Sequence, residues 1–238
     1  MVHVAIPSKG RPLDVRSQKI LPGSTIYVPS SEVDDYHRAG VRNLVAVPSD
    51  IVGITRTRNW VLDNCGHSEV VFIDDDLKVQ GWTLLGETQT KKIPLTEQEW
   101  LRQFDLLFNV TACIGYRLWG VSTTSQPSAV YPWRPFIFHT YVTASCMGMF
   151  NNGLRFDESF PVKEDYELCL RCIKEDGGIV GARYLFWENE HWTTDGGCKS
   201  YRTVDMERRA IKRLIEMYPG MIRQVTRHGN EFSIQLEF

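Results

Sequence analysis

Hydrophobic positions fall into short runs closed by turn residues, and the spacing inside each run predicts its element. Residues 2–7, 24–28 and 43–47 are β-branched and apolar, and each is ended by proline or a turn, as strands are. Residues 54–62, behind Gly53, carry Ile54, Trp60, Val61 and Leu62 on roughly one helical face. Ser30 or Ser31 is placed to cap a short helix with Glu32 in its first turn. Residues 70–73 are a continuous apolar run, the pattern of a buried strand, and end abruptly in Asp74-Asp75-Asp76. Strand and helix alternate over this half, which predicts a largely parallel sheet with helical crossovers.

The second half is less regular. Residues 78–96 mix Gly, Thr, Lys and Gln and read as a loop. Thr96-Glu97-Gln98-Glu99 opens a helix that buries Trp100, Phe104, Leu107 and Phe108 on one face. Residues 115–136 read as a long irregular segment, residues 137–150 as strand-like, and Asn151-Asn152-Gly153 as a turn. Glu164-Asp165 begins a further helix that turns Leu168, Cys169 and Cys172 inward. A last helix is expected over 201–218.

With 238 residues and 42% hydrophobic content, the chain can bury a core without disulfides. Its net charge of −2 provides no general field for nucleic acid, so any such contact needs a local patch. No window reaches the length of a membrane span and the start has no basic, apolar leader, so a cytoplasmic protein is expected. The six cysteines lie scattered among apolar residues, as reduced thiols do. Cys169 and Cys172 form a CxxC with no second pair at zinc-site spacing, so core packing is the stronger reading.

Three features carry candidate chemistry. Adjacent carboxylates repel and cannot enter a core unpaired, so Asp74–Asp76 belong at the strand's C-terminal edge beside something cationic. The period of two puts Asp74 and Asp76 on one face and Asp75 on the other, which makes Asp75 a natural control. The turn Ser8-Lys9-Gly10-Arg11-Pro12 follows the first strand with a glycine, a hydroxyl and two cations, the chemistry of a nucleotide-binding edge or of an ordinary surface turn. Between residues 199 and 227 eight Lys or Arg face three Asp or Glu, with Arg202, Arg209 and Arg213 on one helical side. That stretch is either a contact for nucleic-acid phosphate or donor pyrophosphate, or a solvated helix face. Trp119, Tyr131 and Trp133 are either platforms for a flipped base or core plugs.

Taken in order, Thr57-Arg58-Asn59, then Phe72-Ile73-Asp74-Asp75-Asp76, then Phe156-Asp157-Glu158 and Glu164-Asp165-Tyr166-Glu167-Leu168 with Arg171 resemble the GT-A nucleotide-sugar glycosyltransferases. The opening Ile6-Pro7-Ser8-Lys9-Gly10-Arg11-Pro12 is similar to the TET-associated glycosyltransferases, largely phage-encoded enzymes that decorate hydroxymethylated pyrimidines in DNA. The resemblance implies an α/β GT-A-like single domain, a mostly parallel central sheet flanked by helices, with an acceptor-side loop region and a C-terminal helix. Residues 1–77 would be the nucleotide-binding half, 78–200 the acceptor and catalytic half, and 201–238 a basic helix and tail. It implies a UDP-sugar donor held by Pro7, Ser8, Lys9, Arg11, Arg56 or Arg58, Asn59 and Asp74. Mn²⁺ or Mg²⁺ would be held by Asp74, Asp76 and the late His191. Asp165 would be the general base, with Glu164 beside it, acting on a hydroxymethylpyrimidine in double-stranded or locally flipped DNA. Trp119, Trp133, Arg202 and Arg209 would meet the acceptor. The Glu-Asp pair leans toward inversion, although a carboxylate nucleophile would give retention. No membrane and no obligate protein partner is implied, and a phage enzyme would work in the host cytoplasm. A glycan or small-molecule acceptor, a nucleotidyltransferase and a non-catalytic nucleotide-sugar-binding domain are the competing readings.

Overall fold

Seven strands leave their C-terminal ends on one edge of a ten-stranded sheet, and that edge organises the molecule. The computed structural model describes residues 2–85, 90–124, 134–189, 203–227 and 230–237. The first part runs β1 (His3–Pro7), α1 (Arg16–Ile20), β2 (Thr25–Pro29), a 3-10 turn (Ser30–Glu32), α2 (Val33–Arg38), β3 (Leu44–Val47), α3 (Ile54–Asn64) and β4 (Glu69–Ile73). It continues with β5 (Leu77–Leu85), β6 (Thr90–Ile93), α4 (Glu97–Ile114), β7 (Leu118–Ser122), β8 (Phe136–Ile137), β9 (Cys146–Phe150), α5 (Glu164–Asp176) and β10 (Val180–Asn189). A third part holds α6 (Val204–Met217), β11 (Ile222–Arg227) and β12 (Asn230–Leu236).

The sheet order is β3-β2-β1-β4-β9-β7-β10-β5-β6, with β8 on β10. Strands β3, β2, β1, β4, β7, β10 and β6 run one way, and β9, β5 and β8 the other. The sheet is mixed by pairing and mostly parallel by direction. Strand alternation sets the two layers. Val71 and Ile73 of β4 face a core with Leu21, Tyr36, Trp100, Phe104 and Phe108. Val70 and Phe72 face the opposite core, built on Val61, Leu62, Leu168, Cys169 and Cys172. Helices therefore cover both faces, as a parallel sheet requires.

Helix α4 starts at the expected capping box: Glu99 N donates to Thr96 Oγ1 at 3.4 Å and Thr96 N to Glu99 Oε2 at 2.8 Å. The cysteines of the CxxC are free and buried, and burial pushes the Cys172 thiol up to about 12, so they pack and do not react. Three expectations need correction. No serine side chain caps the turn before α2. Residues 78–96 contain β5 and β6 instead of a loop. Their buried positions include polar Gln80 and Thr83, which hides the strand pattern. Gln80 is satisfied there by the backbone of Leu95 and by Trp100 Nε1 at 2.6 Å.

The third correction is Trp119, expected to meet the acceptor. It lies on β7 and is 0% exposed, packed on Phe104 at 5.6 Å and Phe108 at 5.3 Å. Across the ladder its register partner is Gly148, where a Cβ would sit 2.1 Å from the indole. The missing side chain is the slot that receives the ring.

Candidate active site

β4 stops at Ile73, and the three aspartates leave it under restraint from both layers. The carbonyl of Asp74 accepts from Ser17 Oγ at 2.5 Å, and that of Asp75 from the backbone N–H of Arg16 at 2.9 Å. The first turn of α1 thus holds the strand end in place. This restraint has no signature beyond the sequence Arg16-Ser17.

Asp74 continues the strand's alternation onto the α3–α5 face. Its Oδ1 accepts from Arg58 Nη2 at 3.2 Å, and its Oδ2 from Asn189 Nδ2 at 3.2 Å. Arg58 lies in the second turn of α3, is 3% exposed, and rests its guanidinium over Phe156 and Phe72 at 5.6 and 6.0 Å. Its other terminal nitrogen reaches Glu164 Oε1 at 2.6 Å. One buried cation therefore ties the strand end to the first residue of α5. Burial pushes the Asp74 carboxyl up to about 7 although Arg58 pulls it down, while a third of the side chain (35%) still meets solvent. Burial, then Asp165, raise Glu164.

The period of two does not extend to Asp76, which joins Asp75 on Arg11 instead of sharing the face of Asp74, because β4 has ended at Ile73. Asp75 is not the idle member expected of the opposite face. It is 6% exposed, accepts from Ser8 Oγ at 2.5 Å and from Arg11 Nη1 at 2.8 Å, and burial raises it above the usual carboxylate range. The same Arg11 nitrogen reaches Asp76 Oδ2 at 3.2 Å. Tyr36 OH stands 2.8 Å from Ser8 Oγ and accepts from the backbone N–H of Arg11 at 3.1 Å, while Gly10 N donates to Glu32 Oε2 at 2.7 Å. Pro7 ends β1 half-buried beside this network, and Lys9 is exposed.

Two further expectations change. Asn59 is 8% exposed and brackets the backbone of Phe156, its Nδ2 donating to the carbonyl and its Oδ1 accepting the N–H, each at 2.9 Å. It holds the Phe156-Asp157-Glu158 segment, its Nδ2 also donating to Glu158 Oε1 at 3.1 Å, so its amide is engaged within the protein. Arg58, also buried, has its two terminal nitrogens on Asp74 and Glu164. Arg56 is exposed, 3.5 Å from Glu158. Asp165 is half-buried, its Oδ1 accepting the Tyr166 N–H at 2.9 Å. Arg209 is exposed on α6. His191, Trp133 and Arg202 lie outside the described residues.

Carboxylates outnumber cations here: Asp74, Asp75, Asp76, Glu164 and Asp165 gather around Arg58 and Arg11. Two like charges about 4 Å apart repel by roughly 4 kcal/mol at an effective dielectric of about 20, so protons or a further cation must enter. Asp76 Oδ1 and Asn189 Oδ1 are buried with no hydrogen-bond partner among the described residues, a state that suits ligands of a hard cation. Among the same residues no three His, Cys, Asp or Glu side chains form a ready cage. Asn189 went unread in the sequence, where its neighbour His191 drew the attention. It follows a β-bulge between Glu188 and Asn189, a device that re-aims a side chain at a strand end.

Comparison with known proteins fits this geometry. The chain is similar in structure to glucosyl-3-phosphoglycerate synthase from Mycobacterium tuberculosis, solved with Mn²⁺, UDP-glucose and glycerol 3-phosphate: TM-score 0.52 at 13% identity over 99% of this chain and 86% of that one. A second structure, a mycobacterial protein, matches with TM-score 0.52, 13% identity and coverage of 99% and 83%. S. aureus TarS 1-349 follows with TM-score 0.48 and 11% identity over 78% of this chain, which spans 59% of that one. The first two likenesses give the fold, that of the GT-A glycosyltransferases. Comparison with curated sequences returns no match. The model of the TET-associated glycosyltransferases matches residues 2–197, and the chain belongs to that family of glycosyltransferases.

Proposed function

We propose that the chain transfers a sugar from a UDP-sugar to the hydroxyl of a 5-hydroxymethylpyrimidine in DNA, with inversion at the anomeric carbon. The observation that carries this reading is the double anchorage of Arg58, which joins Asp74 to Glu164, the immediate neighbour of Asp165. Donor chemistry and a candidate base thus meet at one sheet edge. A UDP-sugar is supported by the nucleotide and sugar bound in the M. tuberculosis synthase and by the Ser8–Arg11 network at the end of β1. Pro7, Ser8, Lys9 and Arg11 would line the nucleoside, with Arg56 at the diphosphate.

Asp76, Asp74 and the Asn189 amide oxygen would hold Mn²⁺ or Mg²⁺ together with diphosphate oxygens, and His191 is a further candidate ligand. The ion, when bound, stabilises the negative charge that develops on the departing nucleoside diphosphate. Asp165 takes the proton from the acceptor hydroxyl. Glu164 is buried and engaged by Arg58, so it is not available as a nucleophile, which favours direct displacement and inversion. Its role is to hold Arg58, and through it Asp74, at the sheet edge. The DNA acceptor is supported by the family and by exposed Arg209.

Thermal-shift titration with UDP-, GDP- and TDP-sugars and Mn²⁺ identifies the donor, and transfer to duplex DNA containing 5-hydroxymethylcytosine tests the reaction. Asp165→Asn is expected to keep UDP binding and lose about 10²- to 10⁴-fold in turnover. Unchanged turnover removes Asp165 as the base. Asp76→Ala is expected to abolish stimulation by Mn²⁺, and full metal-stimulated activity would overturn that assignment.

A further inference from the structure

Lys163 directly precedes Glu164 and Asp165, and its backbone is left-handed, with φ 60°. Side chains with a Cβ avoid that region, and glycine enters it freely. The Lys163 side chain is nonetheless buried. Its Nζ lies 3.1 Å from Glu207 Oε2, whose side chain is 6% exposed, and 4.9 Å from the centroid of the Tyr166 ring. Glu207 belongs to α6, beyond residue 197, where the family match ends.

Other ties converge on the same segment. Tyr218 OH donates to Glu167 Oε1 at 2.8 Å, and the Arg213 guanidinium lies 4.8 Å from the Phe160 ring centroid. Phe160, Val162 and Leu170 share a core with Ala210, Leu214 and Tyr218. A buried Lys–Glu pair contributes little net stability, because desolvation offsets the attraction. A glycine at 163 would also hold the turn without strain. Stability therefore explains neither residue, whereas a fixed geometry explains both: the ammonium pins a turn that would otherwise relax, and that turn sets where Asp165 points.

We propose that Lys163 and Glu207 are a positioning pair, through which the C-terminal helix holds the Asp165 carboxylate in place. The catalytic consequence rests on the reading of Asp165 as the base; the mechanical one does not. Amide hydrogen exchange and turnover are measured for wild type, Glu207→Gln, the double variant Lys163→Gly/Glu207→Gln, and Asp165→Asn. Glu207→Gln is expected to raise exchange in residues 160–168 by about 10-fold or more, with β1 and β4 unchanged. The double variant is expected to return it to within roughly 3-fold of wild type, because glycine needs no pin. With UDP-glucose and duplex DNA containing 5-hydroxymethylcytosine, Glu207→Gln is expected to lower kcat about 10- to 100-fold with the donor KM held within about 2-fold. Unchanged exchange at 160–168, or a rise shared equally by β1 and β4, overturns the positioning pair. Full turnover in Asp165→Asn overturns the base instead, and the exchange data still decide the pair.

Discussion

Arg58 shows how one buried side chain can tie two elements of a site together. Its terminal nitrogens hold Asp74 and Glu164, two carboxylates from elements far apart in the chain. A lysine there has a single charged nitrogen and no planar fork, so Arg58→Lys cannot hold both in the same geometry. A second residue, away from the site, makes the fold sensitive to acid. His3 stacks on His67 at 4.7 Å and shares a hydrogen bond with Tyr27 OH at 2.8 Å. Burial, then the neighbouring His67, push His3 down from 6.5 to about 4. The unfolded chain binds a proton that the folded chain refuses, so this contribution to stability is complete above pH 6.5 and is lost as pH falls toward about 4. Thermal midpoints measured across that window are expected to fall more steeply in wild type than in His3→Gln. Parallel curves would exclude His3 as the source.

At the scale of elements, the N-terminal part was legible because its strands are buried on both faces and its turns are marked by Pro and Gly. The β5–β6 hairpin was not, because its inward positions include polar Gln80 and Thr83. Gly81 makes that pairing possible. Its φ is +144°, and a Cβ would stand 2.1 Å from the carbonyl oxygen of Ile93. Gly81→Ala must part the two strands or shift the backbone, at about 2 kcal/mol or more, which corresponds to a midpoint lowered by roughly 4–8 °C. Calorimetry checks it, and a midpoint within one or two degrees of wild type, about half a kcal/mol, would mean the hairpin has slack. Helix α6 was legible as a helix, but not in its function. Arg213 lies over Phe160 and beside Asp157, and Lys212 and Arg223 pair with Glu216 and Glu237. Much of the positive charge counted along the sequence is engaged within the protein.

At the scale of the whole molecule, what remains for DNA phosphates on the described part of α6 centres on Arg209, which is exposed. If it contacts phosphate, Arg209→Ala should weaken binding uniformly across duplex sequences and reduce the slope of log affinity against log salt by about 1. Fluorescence anisotropy at several salt concentrations measures this, and an unchanged slope removes Arg209 from the interface. The molecule also divides its labour by sheet direction. Strands β1, β4 and β10 all end at the same edge, bringing Ser8, Asp74 and Asn189 together from widely separated positions.

The sequence by itself determined the family, the alternating first half, the acidic strand end and the Glu164-Asp165 helix start. Those features are local: periodicity, turn residues and runs of charge act over a few residues and survive reading in one dimension. The tertiary structure alone decided which partners each carboxylate meets. Asp75 became part of the Ser8–Arg11 network because β1 and β4 lie side by side and end at the same edge. Asn59 became a bracket for Phe156, and Trp119 vanished into the slot opposite Gly148. Such roles depend on which elements the sheet order makes neighbours, and separations such as the 106 residues between Arg58 and Glu164 leave no periodic trace along the chain.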